Sequence, residues 1–127
     1  MEMDDVYPAI GSEGFEALIR NFYAQIPEDP ILGPMYPDQD WEGAEKRLRD
    51  FLIYRFGGPP TYIEERGHPR LRMRHMPFVI DQAARDRWVQ LMTTALEQTD
   101  SLPEEVRRRL GEFLAEVATF LINRAPA

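Results

Sequence analysis

The chain contains no cysteine. That absence excludes disulfides, thiolate zinc sites, cysteine nucleophiles and haem attached through thioether bonds. It suits a reducing compartment, so a cytoplasmic location is expected. No apolar run approaches the roughly 20 residues needed to span a bilayer, so no transmembrane segment is expected. The acidic start, Met-Glu-Met-Asp-Asp, lacks the positive charge of a signal peptide. Excess positive charge is missing too: 15 Lys and Arg against 22 Asp and Glu leave a net −7. Such a surface repels phosphate backbones, which argues against a nucleic-acid partner. What the chain does have is 43% hydrophobic residues in 127 positions, enough for one domain with a real core and too little for two. With no repeat, low-complexity stretch or long linker, residues 1–127 read as a single domain.

The apolar residues recur with helical period. Ser12 can cap a helix whose face carries Phe15, Leu18, Ile19, Phe22 and Ile26, stopped by Pro27. The stretch from Asp29 to Pro37, with three prolines and Gly33, must be an irregular connection. Asp40 can cap a second helix bearing Ala44, Leu48, Phe51, Leu52 and Phe56, which Gly57-Gly58-Pro59-Pro60 ends. Residues 61–67 show a weak pattern that supports a turn of helix. Pro69 suits the first position of a very short helix, capped by His68 and ending near His75. Asp81 can cap a long helix with Ala84, Trp88, Leu91, Met92 and Ala95 on one stripe. Ser101-Leu-Pro-Glu104 has the form of a capping box, opening a last helix that buries Val106, Leu110, Phe113, Leu114, Val117 and Leu121. No segment alternates with period two. The expected fold is all-α.

Candidate chemistry is sparse. His68 and His75, the two histidines, stand seven apart and do not form the i, i+4 pair of a helical zinc site. The carboxylates lie on polar helix faces, Ser12 and Ser101 read as caps, and Gly57-Gly58 closes a helix where a phosphate loop would open one. His75 is the distinctive residue. At the end of a helical turn its Nδ1–H can donate to a free carbonyl, leaving Nε2 to ligate a metal. A single axial imidazole is what haem iron takes from a protein. From the histidine alone the simpler reading is a residue satisfied by the helix dipole and solvent. Tyr23, Tyr36 and Trp88 sit in otherwise apolar stretches and need partners if buried. Those partners could be a polar ligand, or simply carbonyls and water.

Five segments carry a resemblance: Phe22-Tyr23, Asp29-Pro-Ile-Leu through Met35-Tyr36-Pro37, Ala44-Glu-Lys-Arg-Leu-Arg-Asp-Phe51, Phe56-Gly-Gly-Pro59, and Gly67-His-Pro-Arg-Leu-Arg-Met-Arg-His75. Together they resemble a truncated haemoglobin, most closely group II, the O-type, from about residue 7 to the last helix. The resemblance implies a two-over-two helical sandwich around a non-covalent b-type haem, with His75 as the proximal iron ligand. It places Tyr23, Tyr36 and Trp88 on the distal side as ligand-stabilising donors, with Ala44 at the position of the usual distal histidine. It implies Leu48 and Phe51 along the distal wall, Leu71, Met76 and Phe78 on the proximal side, and Phe22 lining the haem slot. Arg47, Tyr62 and Arg74 are the candidates to meet the haem propionates. Two departures stand out: Phe56 replaces the tryptophan of many relatives, and the long pre-helix is missing.

The expected function is binding of O2, CO and NO at an accessible iron. Redox use against peroxide or nitric oxide, peroxidase-like or nitric oxide dioxygenase-like, would call for a reductase. Simple oxygen storage or transport is the alternative within the haem reading, and a cofactor-free helical interaction domain is the alternative outside it. A homodimer is compatible with either.

Overall fold

The computed structural model describes residues 1–36 and 39–125; Pro37, part of the expected irregular connection, lies outside them. Six α-helices carry the fold: α1 Val6–Tyr23, α2 Trp41–Arg55, α3 Thr61–Arg66, α4 Leu71–His75, α5 Gln82–Gln98 and α6 Glu104–Phe120. There is no strand among the described residues. The helix α1 packs on α2 and on α5, and α5 packs on α6, so that two helix pairs face each other as a two-over-two sandwich. Among the described residues no helix is long and apolar enough to cross a membrane.

Local chemistry explains most of the boundaries. Asp40 Oδ1 accepts from the Gly43 N–H at 3.0 Å and Asp81 Oδ1 from the Ala84 N–H at 2.9 Å, each satisfying one of the donors that a helix start leaves free. At the end of α2, Gly57 has φ +95°, and a Cβ there would lie 2.5 Å from the Asp4 carbonyl oxygen. Glycine is required both for the left-handed turn and for the close approach of the chain's first residues.

Four expectations at helix ends need correction. The helix α1 stops at Tyr23, before Ile26, and is kinked at Gly11, where φ is 66°. The buried Ile26 belongs to the following turn. Residues 61–66 form a full short helix. The helix α4 starts at Leu71, after Arg70 in left-handed conformation, because Arg74 reaches back to hold the preceding carbonyls open. Ser101 does not cap α6, whose N-cap is Pro103 with no side-chain bond. Glu104 and Glu105 in its first turn complement the helix dipole instead.

One apolar cluster runs through the sandwich, with Phe15, Phe22, Phe56, Leu52 and Leu110 fully buried. Several members of the same stripes, Leu48, Trp88 and Val117 among them, are only half-buried. They mark where the sandwich does not close.

Candidate functional site

The gap is a cavity of about 450 Å³ between α2, α4, α5 and α6, within the range of small-molecule sites. Tyr23, Tyr36, Ala44, Arg47, Leu48, Phe51, Tyr62, Leu71, Arg74, His75, Phe78 and Trp88 all line it. Two expected residues do not. Phe22 is fully buried behind the wall, packed against Tyr23 and Trp88 with centroids 5.1 Å from each. Met76 is 56% exposed; one residue beyond His75 is a turn of about 100° around the helix, away from the cavity.

His75 ends α4, and its Nδ1 lies 2.7 Å from the Leu71 carbonyl oxygen. A carbonyl only accepts, so Nδ1 carries the proton, and in the neutral ring the lone pair is on Nε2. Phe78 stands edge-on to the ring at 6.2 Å. His68 is exposed and does not line the cavity.

The three aromatic donors come from three elements, α1, the connection before α2, and α5, and converge. The rings of Tyr23 and Tyr36 lie 5.8 Å apart, edge to face. Burial raises the Tyr23 hydroxyl well above the usual phenol range, and Tyr36 adds to that as a neighbouring charge and as a hydrogen-bond partner. Tyr36 is also raised by burial, while hydrogen bonding from Tyr23 and Trp88 pulls it the other way. Both phenols are therefore neutral donors at physiological pH, and Tyr36 is the point at which the trio meets.

The cations at the cavity rim are not equally free. Arg74 spends Nε on the Pro69 carbonyl at 2.8 Å and Nη2 on those of Arg66 and His68 at 2.8 and 3.3 Å. It organises the loop that leads into α4, with less of its guanidinium left for a ligand than expected. Arg47 has one long contact, 3.6 Å from Asp40. Arg66 and Arg85 also line the cavity.

Other residues at the site escape sequence reasoning. Leu114, Val117, Ala118 and Leu121 of α6 line the cavity, although their spacing is indistinguishable from core. Asp29 is buried and accepts from the Ile31 and Leu32 N–H groups at 3.1 and 2.9 Å and from Arg87 at 2.7 Å. Burial alone would raise this carboxyl; Arg87 and the backbone donors outweigh it and hold it below its usual value. The pair ties the connection that carries Tyr36 to the residue preceding Trp88.

The bacterial-like globin family model matches residues 5–121. A group 2 truncated hemoglobin, YjbI of Bacillus subtilis, is 38% identical over 121 residues, 95% of this chain and 90% of that protein. A thermostable hemoglobin of Thermobifida fusca superposes with TM-score 0.87 at 44% identity, covering 97% of this chain and 98% of that one. The group II truncated hemoglobin of Bacillus anthracis gives 0.88 at 33% identity, covering 96% and 93%.

Proposed function

The chain belongs to the bacterial-like globins as a group II truncated haemoglobin, a family that binds haem and diatomic gases, and from that premise we propose that its cavity holds haem b with His75 as the axial ligand. The observation that carries this reading is the His75 imidazole at the edge of an apolar cavity, with Nδ1 committed to Leu71 and Nε2 free. The residues present fit the group. A flat apolar macrocycle needs a slot such as the one that Leu48, Phe51, Phe78 and Leu114 line, and its anionic edge needs cations at the mouth, here Arg47, Arg66 and the Nη1 group of Arg74. When bound, the haem supplies a redox-active iron with an open position for O2, CO or NO. Tyr23, Tyr36 and Trp88 bind and orient a polar diatomic, and Leu48 and Phe51 exclude water from it.

Three converging donors favour retention over delivery. The use we propose is therefore redox chemistry on peroxide or nitric oxide, with an electron-donating partner, in the cytoplasm. Storage is the competing use. His75→Ala should lose haem, and the Soret band with it, while His68→Ala keeps both. The reverse pattern, or a protein that cannot be reconstituted with hemin, refutes the assignment. Reaction of the oxygenated protein with nitric oxide, and of the ferric protein with peroxide, at no more than the rates of a storage globin would leave storage as the function.

A further inference from the structure

His75 closes a helix of five residues, Leu71–His75. One turn cannot hold itself in water, since an isolated helix of this length lacks the hydrogen bonds to offset its nucleation cost. The position of the imidazole therefore depends on tethers from elsewhere. On the upstream side the tether is the loop whose Arg66, His68 and Pro69 carbonyls accept from Arg74 of α4. On the downstream side it is the segment that follows α6.

Asn123 on that segment makes a three-point contact with the chain just after His75. Its Nδ2 donates to the His75 carbonyl at 3.2 Å and to the Phe78 carbonyl at 2.9 Å, and its Oδ1 accepts from the Ile80 N–H at 3.0 Å. The amide has two donor hydrogens and an acceptor oxygen, and the site uses all three. Backbone bonds from Asn123 and Arg124 to the Ile80 carbonyl, 2.9 and 3.2 Å, lie alongside. Arg72 completes the dock from α4, donating to the carbonyls of Phe120 at 2.5 Å and Ile122 at 3.2 Å. The Phe120 carbonyl is one that the end of α6 leaves free, and Ile122 lies just beyond it.

We propose that Asn123 is a positioning residue for the axial imidazole: by bridging the carbonyls of His75 and Phe78 it fixes the turn on which His75 sits, and so limits how far the ring can move toward or away from the haem. The proposal rests on His75 being the axial ligand. Leu71 orients the ring about its own axis through Nδ1, and Asn123 holds the backbone that carries it. The two constraints are independent, because Leu71 belongs to α4 itself and Asn123 does not.

The Asn123→Asp variant separates positioning from mere packing. It keeps the size of the side chain, the acceptor for Ile80 and both backbone bonds, so the segment stays docked. It replaces the two donors with a carboxylate oxygen that faces two carbonyls. The ferrous protein should then melt below wild type, as a carboxylate facing two carbonyls requires, while its iron–imidazole stretching band, read well below that melting temperature, shifts and broadens in resonance Raman. Haem transfer to apomyoglobin should quicken about tenfold, the equivalent of losing one or two ordinary hydrogen bonds. Asn123→Ala should show the same band change with a lower melting temperature; should it fail to fold, the Asp variant alone decides. A wild-type band in Asn123→Asp overturns the proposal. A wild-type protein with no iron–imidazole band, or a His75→Gly variant that added imidazole does not restore, overturns the axial assignment as well, and the two failures are thereby distinguishable.

Discussion

Replacing Trp88 by Phe removes one hydrogen-bond donor and leaves nearly all the packing. The indole can only donate, and its ring packs on the buried Phe22 at 5.1 Å, so a phenyl ring keeps the apolar contact. A hydrogen bond to a charged acceptor contributes about 1.5–3 kcal/mol, and dioxygen held at the site draws partial negative charge. The gain is smaller here than the upper bound, because Trp88 and Tyr36 line the same cavity and the phenol can take over part of the role of the indole. The lower figure, about 1.5 kcal/mol, is the better one, and it corresponds to about tenfold in the release rate. Ligand-displacement stopped flow on the ferrous protein measures it directly, with carbon monoxide as the less polar control. Dioxygen release should quicken about tenfold in Trp88→Phe and carbon monoxide release much less. Tyr23→Phe should have a weaker effect than Tyr36→Phe, because Tyr36 is where the three donors meet, and the double tyrosine variant should exceed both. Unchanged dioxygen release in Trp88→Phe would show that the indole only packs. An equal change for both gases would show that the variant opened a path and removed no specific bond.

Haem removal should lower the melting temperature sharply, since a ligand bound only by the folded state stabilises it by about 4 kcal/mol at a thousandfold excess over its dissociation constant; equal apo and holo melting temperatures would count against any cofactor in the cavity. Asp29→Asn should cost about 1–3 kcal/mol at pH 7, because it removes the charge that Arg87 meets at a buried site. The folded value of this carboxyl lies below 3.8, so the stability it contributes is complete above that pH and is lost as the pH falls through the folded value; the gap between wild type and variant in urea melts should therefore close in acid, and a gap that stays constant would refute the charge argument. Gly57→Ala should destabilise by roughly 1–3 kcal/mol through strain at positive φ, with the Asp4 carbonyl in the way of the new methyl group; a wild-type melting temperature would show that the first residues are not held there.

The helices are legible because burial has a period. The stripes of α2, α5 and α6 follow from the spacing of Leu52, Leu91, Met92, Val106 and Leu110, all of which reach the core. What the spacing does not separate is core from cavity wall. Leu110 and Val117 occupy the same stripe of α6, yet the first is fully buried and the second lines the gap. A cavity large enough for a cofactor is bounded by the same apolar side chains as a closed core, so its existence depends on how far apart the helices stand. The resemblance to a globin carries that information; the hydrophobic pattern does not.

The polar part of the site is illegible for a different reason. Several of its hydrogen bonds join residues far apart in sequence, and each residue alone reads as something ordinary. Asp29 looks like a turn aspartate, and it does accept from Ile31 and Leu32, but its second role depends on Arg87, 58 residues away. Asn123 looks like the polar end of a helix, and only the fold brings it to His75, 48 residues away. Arg74 looks like a cation waiting for a carboxylate, and most of its donors are spent on carbonyls of its own loop. In each case the nearby chain supplies part of the explanation and the rest arrives with tertiary packing. The shorter the element, the larger that share becomes: α5, with 17 residues, is specified by its own stripe and cap, whereas α4, with five, is held by the bonds of its own Arg74 to the loop before it and by Asn123 after it. The residue expected to carry the chemistry thus sits on the element with the least local support, and its geometry is set from both ends by neighbours that no local pattern marks.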